Sequence, residues 1–390
     1  MAKEKKKSKK GRKAAKAAPD IRKGLVGVVA DETAVSLVVP EERMLTYRGY
    51  AVHELAAKCS FEEVAYLLLT GELPTRSQLA GFKRKERARR DITRGHVNVI
   101  KQFPKTAHPM DTVRTAVSYL GTTEEAWGGE PEARDMDRAV NMLAKIPTMI
   151  ATDFRFRQGK PRIRPKADLS FAENFFHMCF GKVPPEEVVR AFDISLTCYA
   201  EHSFNASTFT GRVIASTRSD IYSAVTGAIG ALKGPLHGGA NEAVMQMLEE
   251  IKTPGRAERW LRNRLAKKQL VMGFGHRVYR WGDSRVPIMS ACLKDLSDYA
   301  GDDNWIRISE ILEGIMVGEK NIYPNLDFPS GPAYYLMGFP INLYTPIFVA
   351  SRITGWAAHY LEQNADNMLI RPISAYTGKK VRKVKPIARR

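Results

Sequence analysis

Four stretches of this 390-residue sequence each place a titratable side chain beside glycines, prolines or a helix end. The first, residues 234–241 (GPLHGGAN), holds His237 before Gly238 and Gly239. Both glycines can adopt positive φ and let a ligand approach the main chain. An amphipathic run opens at Asn241, so we expect the imidazole to lie near a helix N-terminus, neutral and able to polarise a carbonyl. The alternative is a loop histidine that only caps a helix.

The second and third stretches carry one histidine and one carboxylate. Residues 271–280 (VMGFGHRVYR) contain His276, but Val278 stands where a dinucleotide fingerprint needs glycine, and no strand precedes it. Residues 324–331 (PNLDFPSG) set Asp327 among apolar neighbours, where burial would raise its pKa toward that of a general base. An Asx-turn before proline is the alternative for this aspartate.

The fourth stretch, residues 199–208 (YAEHSFNAST), places His202 at a predicted helix end. Three arginines also lie near turns, on a predicted helix or before proline: Arg285, Arg352 and Arg371. A guanidinium binds a carboxylate through two hydrogen bonds, so several together indicate a dicarboxylate ligand. Any one of them alone is more typical of a surface ion pair.

The elements that must position these side chains are predicted to be mainly helices. Residues 24–50, rich in Val, Thr and Tyr, indicate short strands or an extended arm. Helix starts are marked by a capping box at residues 60–63, by Pro109, by Pro184–Pro185 and by Ser219–Asp220. No alternation of strand and helix recurs. We therefore predict an all-α fold with a short β segment near the N-terminus.

Charge is concentrated at the two ends of the chain. The net charge is +19, of which residues 1–23 carry +9 and residues 379–390 carry +7. Such basic segments cannot bury apolar area, so we expect disordered tails that either solubilise the protein or attach it to nucleic acid or acidic surfaces. The stretch of charge at residues 83–90 is predicted to be a solvated helix face. The length of the chain favours two domains.

The remaining sequence signals exclude several classes of protein. The four cysteines are scattered and no secretory segment precedes them, which favours a reduced, cytoplasmic location. Two prolines interrupt the longest apolar stretch, residues 334–350, so we predict a core segment and no membrane span. P-loop, zincin and nucleophile-elbow motifs are absent from the sequence, and the other histidines show no metal-ligand spacing.

The motifs GPLHGGAN, GFGHRVY and PNLDFPSG, in this order, resemble those of the citrate synthase family. The resemblance extends from residue 24 to about residue 378. It implies a helical homodimer, with a large domain at 24–238 and 339–378 and a small domain at 239–338 that closes over the substrates. Two sequence segments, residues 47–75 and 199–213, are most similar to the 2-methylcitrate synthase branch, which uses propionyl-CoA. Citrate synthases that use acetyl-CoA are the alternative.

The resemblance also implies roles for the titratable residues. Asp327 matches the base that removes the α-proton of an acyl-CoA thioester, and His237 the donor that stabilises the enol. His276 matches the group that hydrogen-bonds the ketone of oxaloacetate. This division of labour is sound, because enolisation places negative charge on the thioester oxygen and needs a donor already in place. No metal or redox cofactor is expected.

The binding residues follow from the same motifs. His202, Arg285 and Arg352 match oxaloacetate ligands, and Arg371 matches an arginine that completes the site of the partner subunit. The expected coenzyme A contacts are Gln269, Leu270, Val271, Met272, Gly273 and Arg280. A hypothesis of another class is a non-catalytic protein anchored by its basic tails, but the presence of all three expected catalytic residues argues against it.

Overall fold

The structure is a computed structural model that describes residues 21–123, 130–276, 278–279 and 281–390. Three short strands lie near the N-terminus: β1 (Ser36–Val39), β2 (Met44–Tyr47) and β3 (Tyr50–Ala51). Short 3-10 helices lie at Lys23–Leu25, Ile341–Leu343 and Ile387–Arg389. Elsewhere in the described chain the regular structure is α-helical, and the predicted fold class, all-α with a short β segment near the N-terminus, is confirmed.

The described residues form sixteen α-helices. They are α1 (Val52–Lys58), α2 (Phe61–Thr70), α3 (Arg76–Ala88), α4 (Arg94–Lys101), α5 (Pro109–Thr122), α6 (Pro131–Arg157), α7 (Phe171–Phe180), α8 (Glu186–Tyr199), α9 (Ala206–Ser216), α10 (Ile221–Leu232), α11 (Ala240–Ile251), α12 (Pro254–Ala266), α13 (Val286–Ala300), α14 (Asn304–Lys320), α15 (Asp327–Leu336) and α16 (Tyr344–Ala365).

The helix ends follow local chemistry that the sequence displays. The predicted capping box opens α2, where the Ser60 side chain and the N3 residue Glu63 satisfy each other's backbone donors. Gly71 closes that helix in the left-handed conformation. The Asp220 carboxylate accepts the Ser223 N–H at 2.9 Å to cap α10, and Pro109 occupies the first turn of α5. These predicted helix starts are confirmed.

The three strands form an antiparallel sheet in the order β1-β2-β3, with Ser36 opposite Tyr47. Tyr47 is fully buried, and its hydroxyl donates to the carbonyls of Thr197 and Glu201, both at 3.0 Å. The predicted extended segment is therefore a sheet that packs against the end of α8.

Helix α16 lies at the centre of the core and packs against α2, α6, α8, α9 and α10. Nearly every residue from Tyr344 to Tyr360 is buried, as expected for a helix that is covered on all sides. Two of those buried residues are Arg352 and His359. Because a buried guanidinium or imidazole requires hydrogen-bond partners or a ligand, the contacts of these two side chains matter for the site.

The prediction of a solvated helix face at residues 83–90 is wrong in part. Glu86 and Arg90 are 1% and 2% exposed, and the Arg90 guanidinium donates to both Glu86 oxygens at 2.8 to 3.1 Å. Arg90 also donates to the carbonyls of Lys166 and Leu169, so this ion pair fastens the end of α3 to the segment before α7. Charge alone could not reveal that partner segment.

The backbone divides into two compact units, which are described separately. Thr33–Leu369 forms one, and it contains every element from β1 to α16. Residues 21–32 and Ile370–Arg390 form the other, in which Arg371 and residues 379–390 are exposed. The predicted domain boundaries at 238/239 and 338/339 stay predictions. Among the described helices, none has the length and apolar character needed to cross a membrane.

Candidate active site

Asp327 is the first residue of α15, and its carboxylate accepts a hydrogen bond from the Tyr199 hydroxyl at 2.8 Å. Burial raises the pKa of Asp327 to about 6, and the bond from Tyr199 opposes that rise. The predicted increase in this carboxyl pKa is confirmed. The alternative of an Asx-turn fails, because the side chain that makes the turn is Asn325, whose oxygen accepts the Asp327 N–H at 3.1 Å.

The His276 ring is held by the backbone that follows it. Its Nδ1 accepts the N–H groups of Val278 and Tyr279 at 3.0 and 3.1 Å. A backbone N–H can only donate, so Nδ1 bears the lone pair and the ring hydrogen lies on Nε2. Burial lowers the pKa of His276 to about 4. The side chain is thus a neutral hydrogen-bond donor through Nε2.

Two segments that are distant in sequence, residues 273–276 and 323–327, pair through their backbones; we call them the paired segments. Gly275 N–H donates to Tyr323 O at 2.8 Å, and Asn325 N–H donates to Gly273 O at 2.9 Å. Gly273 has φ +82°, and a Cβ there would lie 2.8 Å from both Phe328 and Val244. Only glycine fits at that position. This pairing places His276 and Asp327 on two adjacent backbone segments.

The His237 ring lies against the first turn of α9. Its Nε2 accepts the Ser207 N–H at 3.3 Å and lies 2.8 Å from the Ser207 hydroxyl. His237 therefore lies near the N-termini of both α9 and α11, as expected. Because its Nε2 accepts an N–H from the first turn of α9, the histidine also caps a helix, which was the alternative. Since Nε2 accepts a backbone N–H, the hydrogen lies on Nδ1. Burial and then the nearby Arg352 lower the pKa of His237 to about 4.

Glycines 238 and 239 do not take the positive φ that the sequence suggested. Gly239 has φ −72°, and Gly238 is outside the left-handed region. Glycine is needed at 238 for space, because a Cβ would lie 2.6 Å from the Leu232 side chain and 2.7 Å from its carbonyl oxygen. The loop is therefore shaped by close packing against the end of α10.

His202 lies in a cluster of rings. Its centroid is 5.2 Å from that of His276 and 5.4 Å from that of Tyr279. The ring is buried, and no described residue provides a partner for its Nε2. Burial holds the pKa of His202 well below its ordinary value, so the ring is neutral. A buried nitrogen without a partner calls for an explanation, and a ligand would supply one.

Arg352 on α16 is 2% exposed. Its Nε donates to Tyr199 O at 2.6 Å, and its guanidinium carbon lies 4.7 Å from the Phe348 ring centroid. Within the described ranges no carboxylate lies within ion-pair distance of it. Burial lowers the pKa of Arg352 to about 10, so it stays charged at neutral pH. A buried cation in this position is suited to bind an anion.

Arg285 is held differently. It forms a two-bond ion pair with Asp283, at 2.9 and 2.7 Å, and donates to Cys198 O at 3.3 Å. Burial opposes ionisation of Asp283, yet Arg285 holds the pKa of that carboxyl well below its usual range. Asp283 also accepts the Leu326 N–H at 3.2 Å. The pair therefore links the end of α8 to the residue before Asp327.

The sequence stretches meet through a shared aromatic ring. The Phe348 centroid lies 4.3 Å from that of Tyr199, which bonds Asp327, and 6.4 Å from that of His237. Arg352 stacks on the same ring. His202 contacts His276 as described above. The structure thus brings together His202, His237, His276, Arg285, Asp327 and Arg352, which lie far apart in the sequence.

The expected coenzyme A residues 269–273 lead in sequence into the first of the paired segments. Gln269 and Leu270 are exposed, Val271 and Gly273 are buried, and Met272 is half-buried. Arg280 lies outside the described residues. The Arg371 assignment stays a prediction, since that residue belongs to the other unit. The expectation of no metal or redox cofactor likewise stays a prediction.

Comparison with known proteins identifies the family. The family description "Citrate synthase, C-terminal domain" matches residues 24–373. This chain belongs to the citrate synthase family. A 2-methylcitrate synthase of Mycobacterium tuberculosis is 56% identical over 360 residues, which cover 92% of this chain and 91% of that protein. A citrate synthase of Mycolicibacterium smegmatis is 56% identical over 361 residues, 93% of this chain and 96% of its own length.

A solved structure has the same fold. It is the citrate synthase from Thermoplasma acidophilum, described as a ternary complex with carboxymethyl coenzyme A and oxaloacetate. Its TM-score is 0.89 at 36% identity, over 96% of this chain and 100% of that one. A similarity of this extent shows that this chain has the citrate synthase fold.

The residues that hold the titratable groups of this citrate synthase family member were not predicted from the sequence. They are Tyr199 beside Asp327, Ser207 beside His237, Asp283 beside Arg285 and Asn325 within the paired segments. Each lies in or next to a stretch that stood out for its composition. Only the fold reveals what each one contacts.

Proposed function

We propose that the protein condenses propionyl-CoA with oxaloacetate and water to 2-methylcitrate and coenzyme A, the reaction of a 2-methylcitrate synthase, and that it also accepts acetyl-CoA. The observation that carries the proposal is Asp327, whose pKa burial raises to about 6, beside two histidines that burial keeps neutral. A weakly basic carboxylate and neutral donors are what enolisation of a thioester requires.

The first step is removal of a proton from the α-carbon of the acyl group. Asp327 accepts that proton, and the C–H electron pair moves to form the enol while charge develops on the thioester oxygen. His237 donates to that oxygen through Nδ1–H, because its Nε2 is occupied by Ser207. The Tyr199 hydroxyl orients the Asp327 carboxylate toward the acyl group.

In the second step the enol carbon attacks the ketone carbon of oxaloacetate. A carbon–carbon bond forms, the ketone π-bond breaks, and its oxygen takes a proton from His276 Nε2–H. The thioester carbonyl re-forms as the carbon–carbon bond is made. Water then adds to the thioester carbon, a C–O bond forms and the C–S bond breaks, and the departing thiolate takes the proton held by Asp327. One proton of the water returns to His276, and the other is released as the new carboxylic acid ionises. Closure of a small domain at 239–338 over the substrates would exclude water until the carbon–carbon bond exists.

Oxaloacetate binds to the cations around this centre. Arg352 is a buried guanidinium without a carboxylate partner, and His202 is a buried ring with a free nitrogen; both support a carboxylate site. Arg285, whose charge Asp283 balances, presents further N–H donors. Arg371 of a partner subunit completes the site in a homodimer. Residues 269–273 and Arg280 hold coenzyme A. We place this dimer in the cytoplasm, in propionate catabolism, consistent with its four free cysteines.

The preference for propionyl-CoA is supported by the Mycobacterium tuberculosis relative and by apolar surface beside the base. The Tyr199 and Phe348 rings pack together next to Asp327, where an additional methyl group would be buried. One methylene contributes about 0.8 kcal/mol on burial, and pockets discriminate by about 10- to 200-fold at that scale. The alternative, citrate synthesis from acetyl-CoA, is the same chemistry on a smaller substrate.

Thiol release from each acyl-CoA, with and without oxaloacetate, tests the proposal. We expect release to require oxaloacetate, and kcat/KM to be larger for propionyl-CoA than for acetyl-CoA. Asp327→Asn should lower kcat by about 10²- to 10⁴-fold, since the base is lost while the shape remains. Asp298→Asn, at an exposed position on α13, is the matched control and should leave the rate unchanged.

The outcomes separate the levels of the proposal. A kcat/KM ratio that favours acetyl-CoA would replace the proposed substrate with that of a citrate synthase. Thiol release that does not need oxaloacetate, or an unchanged rate in Asp327→Asn, would remove the condensation mechanism itself.

A further inference from the structure

Residues 199–205, between the end of α8 and the start of α9, form a turn around His202; we call it the His202 turn. It contains Glu201, whose side chain is fully buried although it carries a carboxylate. Ser203, on the other side of His202, has φ +50°, which is unfavourable for a residue with a Cβ. A strained residue and a buried charge persist only where the surroundings hold them in place.

Ser36 on β1 connects the two residues that flank His202. Its hydroxyl donates to Glu201 Oε1 at 3.0 Å and accepts the N–H of Ser203 at 2.9 Å. One side chain therefore binds the Glu201 carboxylate on one side of His202 and the Ser203 backbone on the other. Tyr47 on β2 supports the same point, because the Glu201 N–H donates to its hydroxyl at 3.2 Å.

His359 on α16 holds the Glu201 carboxylate from the opposite side. The Arg212 guanidinium, which can only donate, lies 3.1 Å from His359 Nδ1. The His359 hydrogen is therefore on Nε2, which donates to Glu201 Oε1 at 2.9 Å. Arg212 is itself paired with Glu362 at 2.7 Å, so the orientation of the imidazole is defined on both sides.

The carboxylate also packs closely on α16. At Gly355 a Cβ would lie 2.2 Å from Glu201 Oε2, so the absence of a side chain makes room for this group. Burial would raise the pKa of Glu201, yet His359, Arg352 and Ser36 outweigh it and the pKa lies below its ordinary value. Glu201 is therefore an ion placed between the sheet and the helix that carries Arg352.

Arg352 and His359 lie two turns apart on α16, so they project from one face of the helix. Arg352 bonds Tyr199 O, at the start of the His202 turn, and His359 bonds the carboxylate in its middle. The Thr354 hydroxyl donates to Ala200 O at 3.4 Å between them. The helix and the turn are thus joined at three successive residues of the turn.

We infer that Glu201 and His359 are positioning residues that fix the His202 ring relative to the Arg352 guanidinium and so determine the affinity for oxaloacetate. The inference rests on the proposed function, which assigns His202 and Arg352 to that substrate. Neither positioning residue bonds Asp327 or His237, so the pair acts on oxaloacetate binding and leaves proton abstraction unchanged.

His359→Phe tests the pair, since it keeps an aromatic ring in contact with Phe204 but removes the donor to Glu201. Titration calorimetry with oxaloacetate alone gives Kd, and steady-state kinetics give kcat and both KM values. We expect Kd and KM for oxaloacetate to rise about tenfold, the scale of a lost hydrogen bond to a charged group. The acyl-CoA KM, kcat and the acid limb of the pH profile should not change.

Two further variants strengthen the test. In Glu201→Gln/His359→Phe the losses should be less than additive, because both changes break the same contact. Ser36→Ala removes the hydroxyl that bonds Glu201 and Ser203, and it should also weaken the binding of oxaloacetate. This second variant keeps the inference testable if His359→Phe does not fold. Tyr360 lies on the same helix as His359, and its hydroxyl donates to Ser219 O before α10. Tyr360→Phe loses that hydrogen bond, is the control and should match the wild type.

Results that contradict the positioning role differ from results that contradict the proposed function. An unchanged oxaloacetate Kd in folded His359→Phe and Ser36→Ala, or a fall in kcat with unchanged KM, would overturn the positioning role. A wild-type protein that binds no oxaloacetate would instead overturn the proposed function, and this inference with it.

Discussion

The His202 turn and the paired segments both carry titratable side chains into the candidate site, and different groups hold them. In the turn, side chains do the holding: Ser36, Tyr47 and His359 bond Glu201, and Arg352 bonds Tyr199 O. In the paired segments, main-chain N–H and carbonyl groups bond each other across glycines. The first region therefore depends on side-chain chemistry and the second on backbone shape.

This contrast matches the two tasks of the proposed reaction. Oxaloacetate carries fixed charges, so the region that binds it needs charged and polar groups at set positions, supplied by a buried helix. The base acts instead on the α-carbon of the acyl group and the ketone donor on the oxygen of oxaloacetate, two atoms of reacting partners that must be held close together. Backbone pairing of the two segments holds Asp327 and His276 in fixed relative positions, and misplacement of about 1 Å can cost about 10²-fold in rate.

The largest effect expected in the paired segments comes from Gly273→Ala. Gly273 has a positive φ, and a Cβ added there would lie 2.8 Å from Phe328 and from Val244, so there is no room for a methyl group. We expect a loss of about 2–4 kcal/mol in stability and at least about 100-fold in kcat/KM. Thermal unfolding and steady-state kinetics measure both.

Gly255→Ala is the matched control for that variant. No heavy atom lies within 4 Å of its Cβ position, and its φ is not positive. Stability should stay within about 0.5 kcal/mol of the wild type. Equal behaviour of the two variants would show that the pairing of residues 273–276 with 323–327 tolerates a shift, and the contrast between the two regions would fail.

The sequence predicted the local features well, because they depend on neighbours a few residues away. The capping box at Ser60 and the cap at Asp220 are of this kind. The bond between Tyr199 and Asp327 spans 128 positions, so no local pattern contains it. The same limitation explains why Gly238 was expected to need positive φ, when it needs space beside Leu232. Residue types revealed the chemistry, and packing decided the geometry.

A smaller effect concerns pH and the hydrogen bond that joins the two regions, from the Tyr199 hydroxyl to the Asp327 carboxylate. Activity needs the ionised carboxylate, whose pKa burial raises to about 6, so activity is present above that pH and is lost as the pH falls through it. The Tyr199 hydrogen bond lowers this pKa. Tyr199→Phe should therefore move the acid limb of the kcat profile to higher pH. For a rise of about one unit, the ionised fraction at pH 7 falls roughly twofold.

Tyr334→Phe provides the comparison for this pH shift. Tyr334 stacks near Tyr199 but its hydroxyl donates to Ser195 at 3.2 Å, away from Asp327. The acid limb of the kcat profile of Tyr334→Phe should coincide with that of the wild type. A limb that stays in place in Tyr199→Phe would mean that the hydrogen bond does not tune the base, and that the two regions act independently.

The smallest effect is expected at Trp356 on α16, whose indole N–H donates to the Ser207 hydroxyl at 3.1 Å. Ser207 contacts His237, so Trp356 supports the proposed enol donor through side chains, as we infer for His359 and His202. In Trp356→Phe the Ser207 N–H still bonds His237, and we expect kcat to fall by less than about twofold. Trp305→Phe is the control, because its indole nitrogen is buried without a partner among the described residues. If the two tryptophan variants lose the same activity, the effect belongs to ring volume, and side-chain support from α16 would be confined to the oxaloacetate half of the site.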